Sequence, residues 1–209
     1  KANGAVRLVD AAELRALTDQ AAVAPRGRAH LLLHGGPTDQ VQRLVIAAQP
    51  GTYVRPHQHS HQWEMLILQS GCADILMVSG AGEVLRRIRL DRDSQVIEIP
   101  MAEWHTCVVR APDTVIMEIK PGPYQPNEFA DWAPEEASER AAEFVEWAAH
   151  ADVGQAWPPR QGTPAPRKAR CSTPSATCKT ASSSASRSPP FRRCSSSWPT
   201  WPPSWWRRA

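Results

Sequence analysis

Residues 51–71 read GTYVRPHQHSHQWEMLILQSG, and this stretch decides the fold. His57 and His59 stand two apart, so on an extended segment both side chains point to one face. Glu64 follows after an interval of four residues and opens an apolar run suited to the next strand. His105 arrives on a separate short run, HTCVV, which is able to cross the same interior. Three imidazoles and one carboxylate suit a single divalent metal such as Fe, Mn, Zn or Ni, and a six-coordinate ion keeps positions open. A lone strand histidine is more often structural, but here four ligand-type side chains fall at one spacing. His61 shares the parity of His57 and His59 and is placed at the rim, since Glu64 completes the interval. His30 and His34 precede the β-rich region and read as structural or rim residues.

Outward from this stretch, short β-rich runs recur at 41–48, 63–69, 73–78, 83–90, 95–99, 105–109 and 114–120. Such spacing points to an all-β sandwich or barrel, with Ser79-Gly80-Ala81-Gly82 as a hairpin connection. A helix is predicted over 10–22, with Asp10 as N-cap and Glu13 at the capping-box position. A second is predicted over 134–149, with Pro134 in its first turn. The organisation is therefore an N-terminal helix and lead-in over 1–35, a barrel over 36–124 and a helical extension over 125–157. From 158 to 209 the chain becomes Ser-, Pro-, Arg- and Trp-rich. A segment of that kind lacks the regular apolar surface needed to offset ordering entropy, so a disordered low-complexity tail is expected. Its abrupt change of composition is also what an out-of-frame reading of GC-rich sequence would give.

The formal net charge of +3 averages two unlike pieces. Residues 1–159 carry 14 Lys and Arg against all 21 Asp and Glu, whereas the last 50 residues carry ten basic side chains and no acid. The acidic part argues against nucleic acid or an anionic membrane as its partner, and leaves RNA binding to the basic tail as the lowest-ranked reading. No apolar run is long enough to span a membrane, and no basic-then-apolar secretory layout opens the chain, so a cytoplasmic location is expected. Cys72 and Cys107 make no disulfide framework for a domain of this size.

The pattern Gly51, five residues, His57-x-His59, four residues, Glu64, six residues, Gly71 resembles the first cupin motif across its length. Pro100-Met-Ala102-Glu-Trp-His105 resembles the core of the second, with Ala102 where glycine is usual and Val109 where asparagine often sits. Further stretches resemble the WbuC-type cupin-fold metalloproteins: Arg26-Gly-Arg28-Ala-His30, Val41-Gln42-Arg43, Glu118-Ile-Lys120-Pro-Gly-Pro-Tyr124 and Phe129-Ala-Asp-Trp132-Ala-Pro134-Glu135. That resemblance covers roughly residues 7–150. It implies a single cupin barrel (double-stranded β-helix, or jelly roll) with short flanking helices. It also implies one divalent metal on His57, His59, Glu64 and His105, a homodimer, and association with bacterial surface-polysaccharide (O-antigen) gene clusters. It supplies no reaction.

Strand alternation sketches the pocket. With His57 inward, Tyr53 and Arg55 are expected inward too, and Arg55 would bind an anionic group of the substrate. Cys107 shares parity with His105 and reads as a small pocket-lining hydrophobe. Tyr53, Glu118 and Lys120 are the candidate acid–base groups. Two functions stay open: a metal-dependent enzyme acting on a small polar metabolite (a sugar or sugar-nucleotide), of isomerase, epimerase or dioxygenase-like type, and a non-catalytic small-ligand binding or sensing module.

Overall fold

The computed structural model describes residues 6–157. Helix α1 (Ala11–Val23) is followed by ten strands and a second helix. The strands are β1 (Arg28–Leu32), β2 (Val41–Ala48), β3 (His57–Gln58), β4 (Glu64–Ser70), β5 (Ala73–Val78), β6 (Val84–Leu90), β7 (Val96–Ile99), β8 (His105–Val109), β9 (Thr114–Pro121) and β10 (Glu128–Phe129), and helix α2 spans Glu139–His150. They form two five-stranded sheets, ordered β1-β2-β9-β4-β7 and β10-β3-β8-β5-β6, with every pairing antiparallel. The chain passes repeatedly from one sheet to the other, at β2–β3, β3–β4, β4–β5, β6–β7, β7–β8, β8–β9 and β9–β10. This is the double-stranded β-helix of a cupin-type barrel, the fold class expected from the sequence.

Three apolar clusters hold it. Between the sheets, Leu66, Leu68, Ile75, Met77, Ile99 and Ile116 form one buried cluster. On the outer face of the first sheet, Leu17 and Ala21 of α1 pack on Val45, Ala47 and Val115. On the outer face of the second, Phe144, Trp147 and Ala148 of α2 pack on Tyr53, Leu76, Val78 and Val108. A strand covered on both faces needs no polar alternation, and all six residues of β5, ADILMV, are buried.

Local chemistry explains the ends of these elements. Asp10 caps α1 by accepting a 2.9 Å hydrogen bond from the Glu13 amide. Gly71, the last glycine of the motif, turns β4 into β5 at φ 82°, and a Cβ there would sit 2.6 Å from Thr114 Cα. Only glycine fits both conditions.

Two expectations change. Helix α2 begins at Glu139 rather than at Pro134, because the Pro134 carbonyl is taken by the Tyr53 hydroxyl at 2.6 Å and Ser138 bonds back to the Glu135 carbonyl at 2.7 Å. The stretch read as lead-in contains β1, which pairs with β2 from Arg28↔Ala48 to Leu32↔Leu44. The expected tail, 158–209, lies outside the described residues.

Candidate metal centre

Strand β3 carries His57, the chain just beyond it carries His59, β4 opens with Glu64 and β8 opens with His105. His57 pairs directly with His105 across β3 and β8, which sets their rings 4.4 Å apart. Glu64 bridges the other two, with Oε1 3.2 Å from His59 Nε2 and Oε2 3.1 Å from His105 Nε2. All four side chains are buried, and one ligand atom from each lies within 4.8 Å of the others. Two ligands on opposite sides of one ion stand about 4.2 Å apart at ordinary metal–nitrogen distances. The cluster therefore closes on a single ion with movements well below 1 Å.

Second contacts fix the tautomers. His57 Nδ1 donates to the Arg55 carbonyl at 2.8 Å and His105 Nδ1 to the Glu103 carbonyl at 2.9 Å, which leaves each Nε2 free to ligate. His59 Nδ1 is buried and, among the described residues, has no hydrogen-bond partner. Burial, reinforced by His105, depresses His57 to about 3, so it is held in the neutral form that a metal requires. Burial resists charge on Glu64, but hydrogen bonds from His105 and His59 outweigh it and hold the carboxyl well below its usual range. His105 is likewise opposed by burial, yet its bond to Glu64 raises it. A carboxylate kept ionised among imidazoles in a buried site is a donor set suited to a divalent cation.

A cavity of about 190 Å³ adjoins the cluster. Ile46, Leu66, Ile75 and Ile116 line it on the apolar side, while Arg28, His30, Glu118, Lys120 and Asn127 contribute its polar groups. On β9, Lys120 Nζ lies 2.7 Å from Glu118 Oε1 and 3.8 Å from Glu64 Oε1. Burial first, and then the nearby Glu64, raises Glu118 to about 7. Cys107 lines the cavity as a neutral thiol, pushed by burial to about 12.

Tyr53 and Arg55 do not lie where alternation puts them. Thr52 and Val54 face the cavity instead, and the parity changes at the buried Pro56, ahead of β3. Tyr53 points outward under α2, edge-on to Phe144 and bonded to Pro134, and burial raises its hydroxyl far above the usual value. Arg55 pairs with Glu135 at 2.7 Å and covers the Phe129 ring at 5.0 Å. The arginine that lines the cavity is Arg28, which bonds the Tyr53 carbonyl and pairs with Glu136 at 2.8 Å. Its placement on β1, within a segment read as lead-in, concealed it. His61 is exposed, as a rim residue would be, and His34 is structural, with Nδ1 2.9 Å from the Arg43 amide.

The two-sheet topology and the interior three-His, one-Glu cluster together define a cupin-type protein with a buried set of side chains that could hold a metal. A family model described as "Domain of unknown function (DUF6016)" matches residues 9–90. No curated protein matches the chain. Among solved structures, the chain is similar to an uncharacterized conserved protein with a double-stranded β-helix domain from Klebsiella pneumoniae, at 15% identity and TM-score 0.46, over 61% of this chain and 99% of that one. It is also similar to KdgF from Halomonas sp., at 16% identity and TM-score 0.40, over 49% of this chain and 84% of that one. A cupin 2 domain-containing protein from Halorhodospira halophila matches at 14% identity and TM-score 0.42, over 50% and 70%. No helix among the described residues is long and apolar enough to cross a membrane.

Proposed function

We propose that this chain is a metal-dependent enzyme of the isomerase or epimerase type, acting on a small polar metabolite. The observation that carries the reading is the Glu118–Lys120 pair, which lines one cavity with His57, Glu64 and His105 of the candidate ligands and reaches to within 3.8 Å of Glu64. A divalent ion on His57, His59, Glu64 and His105 would act as a Lewis acid, polarising a substrate oxygen. Glu118, buried in the cavity wall beside Lys120, takes or returns a proton at the adjacent carbon. Lys120 balances the charge on that carboxyl and on Glu64. Arg28 lines the cavity, which supports it over Arg55 as the group that would hold an anionic substituent.

The sequence resemblance to WbuC-type proteins supports a sugar as the substrate, within surface-polysaccharide (O-antigen) assembly in the cytoplasm. A cavity of about 190 Å³ is too small for a sugar-nucleotide. The free edge of β1 is the proposed homodimer contact, to be read by light scattering on purified protein.

The test is deuterium wash-in. Metal-loaded protein is incubated in D2O with a panel of hexoses, N-acetylhexosamines and hexuronic acids, and exchange is followed by proton NMR. Exchange into one of them, lost in Glu118→Gln but not in Tyr53→Phe, is the expected result. Binding without exchange for any metal would make the protein a ligand-binding module instead.

A further inference from the structure

The wall between β3 and β8 is incomplete. Strand β8 pairs with β5 along its whole length, from Met77↔His105 to Ala73↔Val109, but with β3 only at His57↔His105. Beyond that pair, among the described residues, segment 50–56 and β8 are joined by one side-chain bond, Thr106 Oγ1 to the Val54 carbonyl at 2.5 Å. A ladder left open there would expose backbone to water, and α2 lies across it.

Beneath α2, over this slit, is a second cavity of about 290 Å³. Tyr53, Val108, Phe144, Val145 and Ala149 make it largely apolar. Four residues, Thr52, Val54, Cys107 and Val109, line both this cavity and the one beside the metal ligands. The partition between them is thus one side chain thick and has no continuous hydrogen-bonded ladder. Ordinary small-molecule pockets start at about 300 Å³, so the inner cavity of about 190 Å³ is small for a whole ligand and adequate for a head group.

We propose that the two cavities form one two-compartment site, whose ligand places an oxygen-rich head at the metal and a short acyl or other aliphatic arm through the slit into the cleft under α2. This rests on the metal-centre reading above and names its substrate class: an acylated polar metabolite. Val54 and Cys107 are the thresholds the arm must pass, and α2 is its roof.

Hydroxamates test this, because one chelating head is available with arms of different length. The full chain is loaded with Co(II), and acetohydroxamate and hexanohydroxamate are titrated by visible absorption. Full burial of a methylene contributes about fourfold in affinity, so hexanohydroxamate is expected to bind tens of times more tightly than acetohydroxamate. Val145→Phe fills the cleft and should remove most of that gain while leaving acetohydroxamate unchanged. Ala149→Phe serves the same purpose if the first variant does not fold. Equal or weaker binding of the longer probe, or a gain that survives cleft filling, overturns the proposal. If acetohydroxamate itself leaves the cobalt spectrum unchanged, the metal-centre reading fails, and a metal-free arm decides the cleft separately. In that arm, hexanoate must shift the ¹³C-methyl NMR signals of both Val54 and Val145, and no shift at either residue overturns the two-compartment site.

Discussion

Asp74 Oδ2 accepts a hydrogen bond from Arg87 Nη1 at 2.7 Å, on the face of the second sheet that α2 covers. Asp74 is fully buried, and the other Arg87 nitrogen donates to the Ala148 and Ala151 carbonyls at 2.6 Å each. One guanidinium thus neutralises a buried carboxylate and caps the C-terminus of α2, where unpaired carbonyls favour a cation. Arg89 also bonds Asp74, but its side chain is 48% exposed and touches no helix carbonyl. Arg87→Met should therefore cost about 3 kcal/mol in urea unfolding, the low end for breaking a buried pair, since Arg89 and Arg110 remain. Arg89→Met should cost below about 1 kcal/mol. Equal losses in the two variants would remove the special role of Arg87.

Glu118 links pH to stability. Its folded value of about 7 stands above the ordinary 4.5, so the folded protein holds a proton over that interval which the unfolded chain has lost. Its contribution is complete below pH 4.5 and disappears as pH rises through 7, by about 3 kcal/mol. His57 works in the opposite sense: depressed from 6.5 to about 3, it favours the folded state as pH rises through that window. The difference between wild type and Glu118→Gln isolates the first effect. In metal-free protein that difference, read from unfolding midpoints between pH 4.5 and 7, should fall steadily with pH, and a flat difference would refute it.

Ala102 occupies the left-handed region at φ 62°, in the turn where the second cupin motif usually has glycine. Its amide still donates to the His59 carbonyl at 2.8 Å, so the turn is held in place against its own preference. A left-handed residue with a Cβ costs about 1–2 kcal/mol, and a glycine loses part of that gain through unfolded-chain entropy. Ala102→Gly should stabilise the protein by roughly 0.5–1 kcal/mol. A lower melting temperature in the variant would mean that the Ala102 methyl makes packing contacts worth more than the strain.

The four candidate metal ligands were legible because each is set by local spacing on an extended chain or by a short motif before a strand. The same alternation fails for Tyr53 and Arg55, since residues 53–56 are not in a strand and Pro56 resets the parity. Arg28 was hidden for another reason. Its strand, RAHLL, has no regular apolar alternation, and only pairing with β2 places it at the cavity. Glu118 and Lys120 sat on a readable strand, but their closeness to Glu64 depends on the β4–β9 register, with Leu66 opposite Glu118, which no single segment encodes. Local patterns thus gave the candidate donor set, the fold class and Glu118 and Lys120 as candidates, whereas the closeness of that pair to Glu64 and the slit are products of tertiary pairing.

His61 separates a designed site from a merely histidine-rich loop. It lies two residues beyond His59 and is exposed, whereas His57, His59 and His105 are buried around Glu64. If the geometry determines metal binding, elemental analysis should find about one ion per chain in wild type and in His61→Ala. His57→Ala and His105→Ala should lose the ion, with the far-UV circular dichroism retained, because the cluster between the sheets is built from Leu66, Ile75, Ile99 and their neighbours without any of these histidines. His59→Ala is the most informative case. Among the described residues its Nδ1 has no hydrogen-bond partner, so Glu64 makes its one side-chain hydrogen bond and the ring otherwise rests on packing against His57 and His105. Full metal retention in His59→Ala would mean that His57, Glu64 and His105 suffice. Loss in His61→Ala instead would move the centre to the rim and detach it from the Glu118–Lys120 pair.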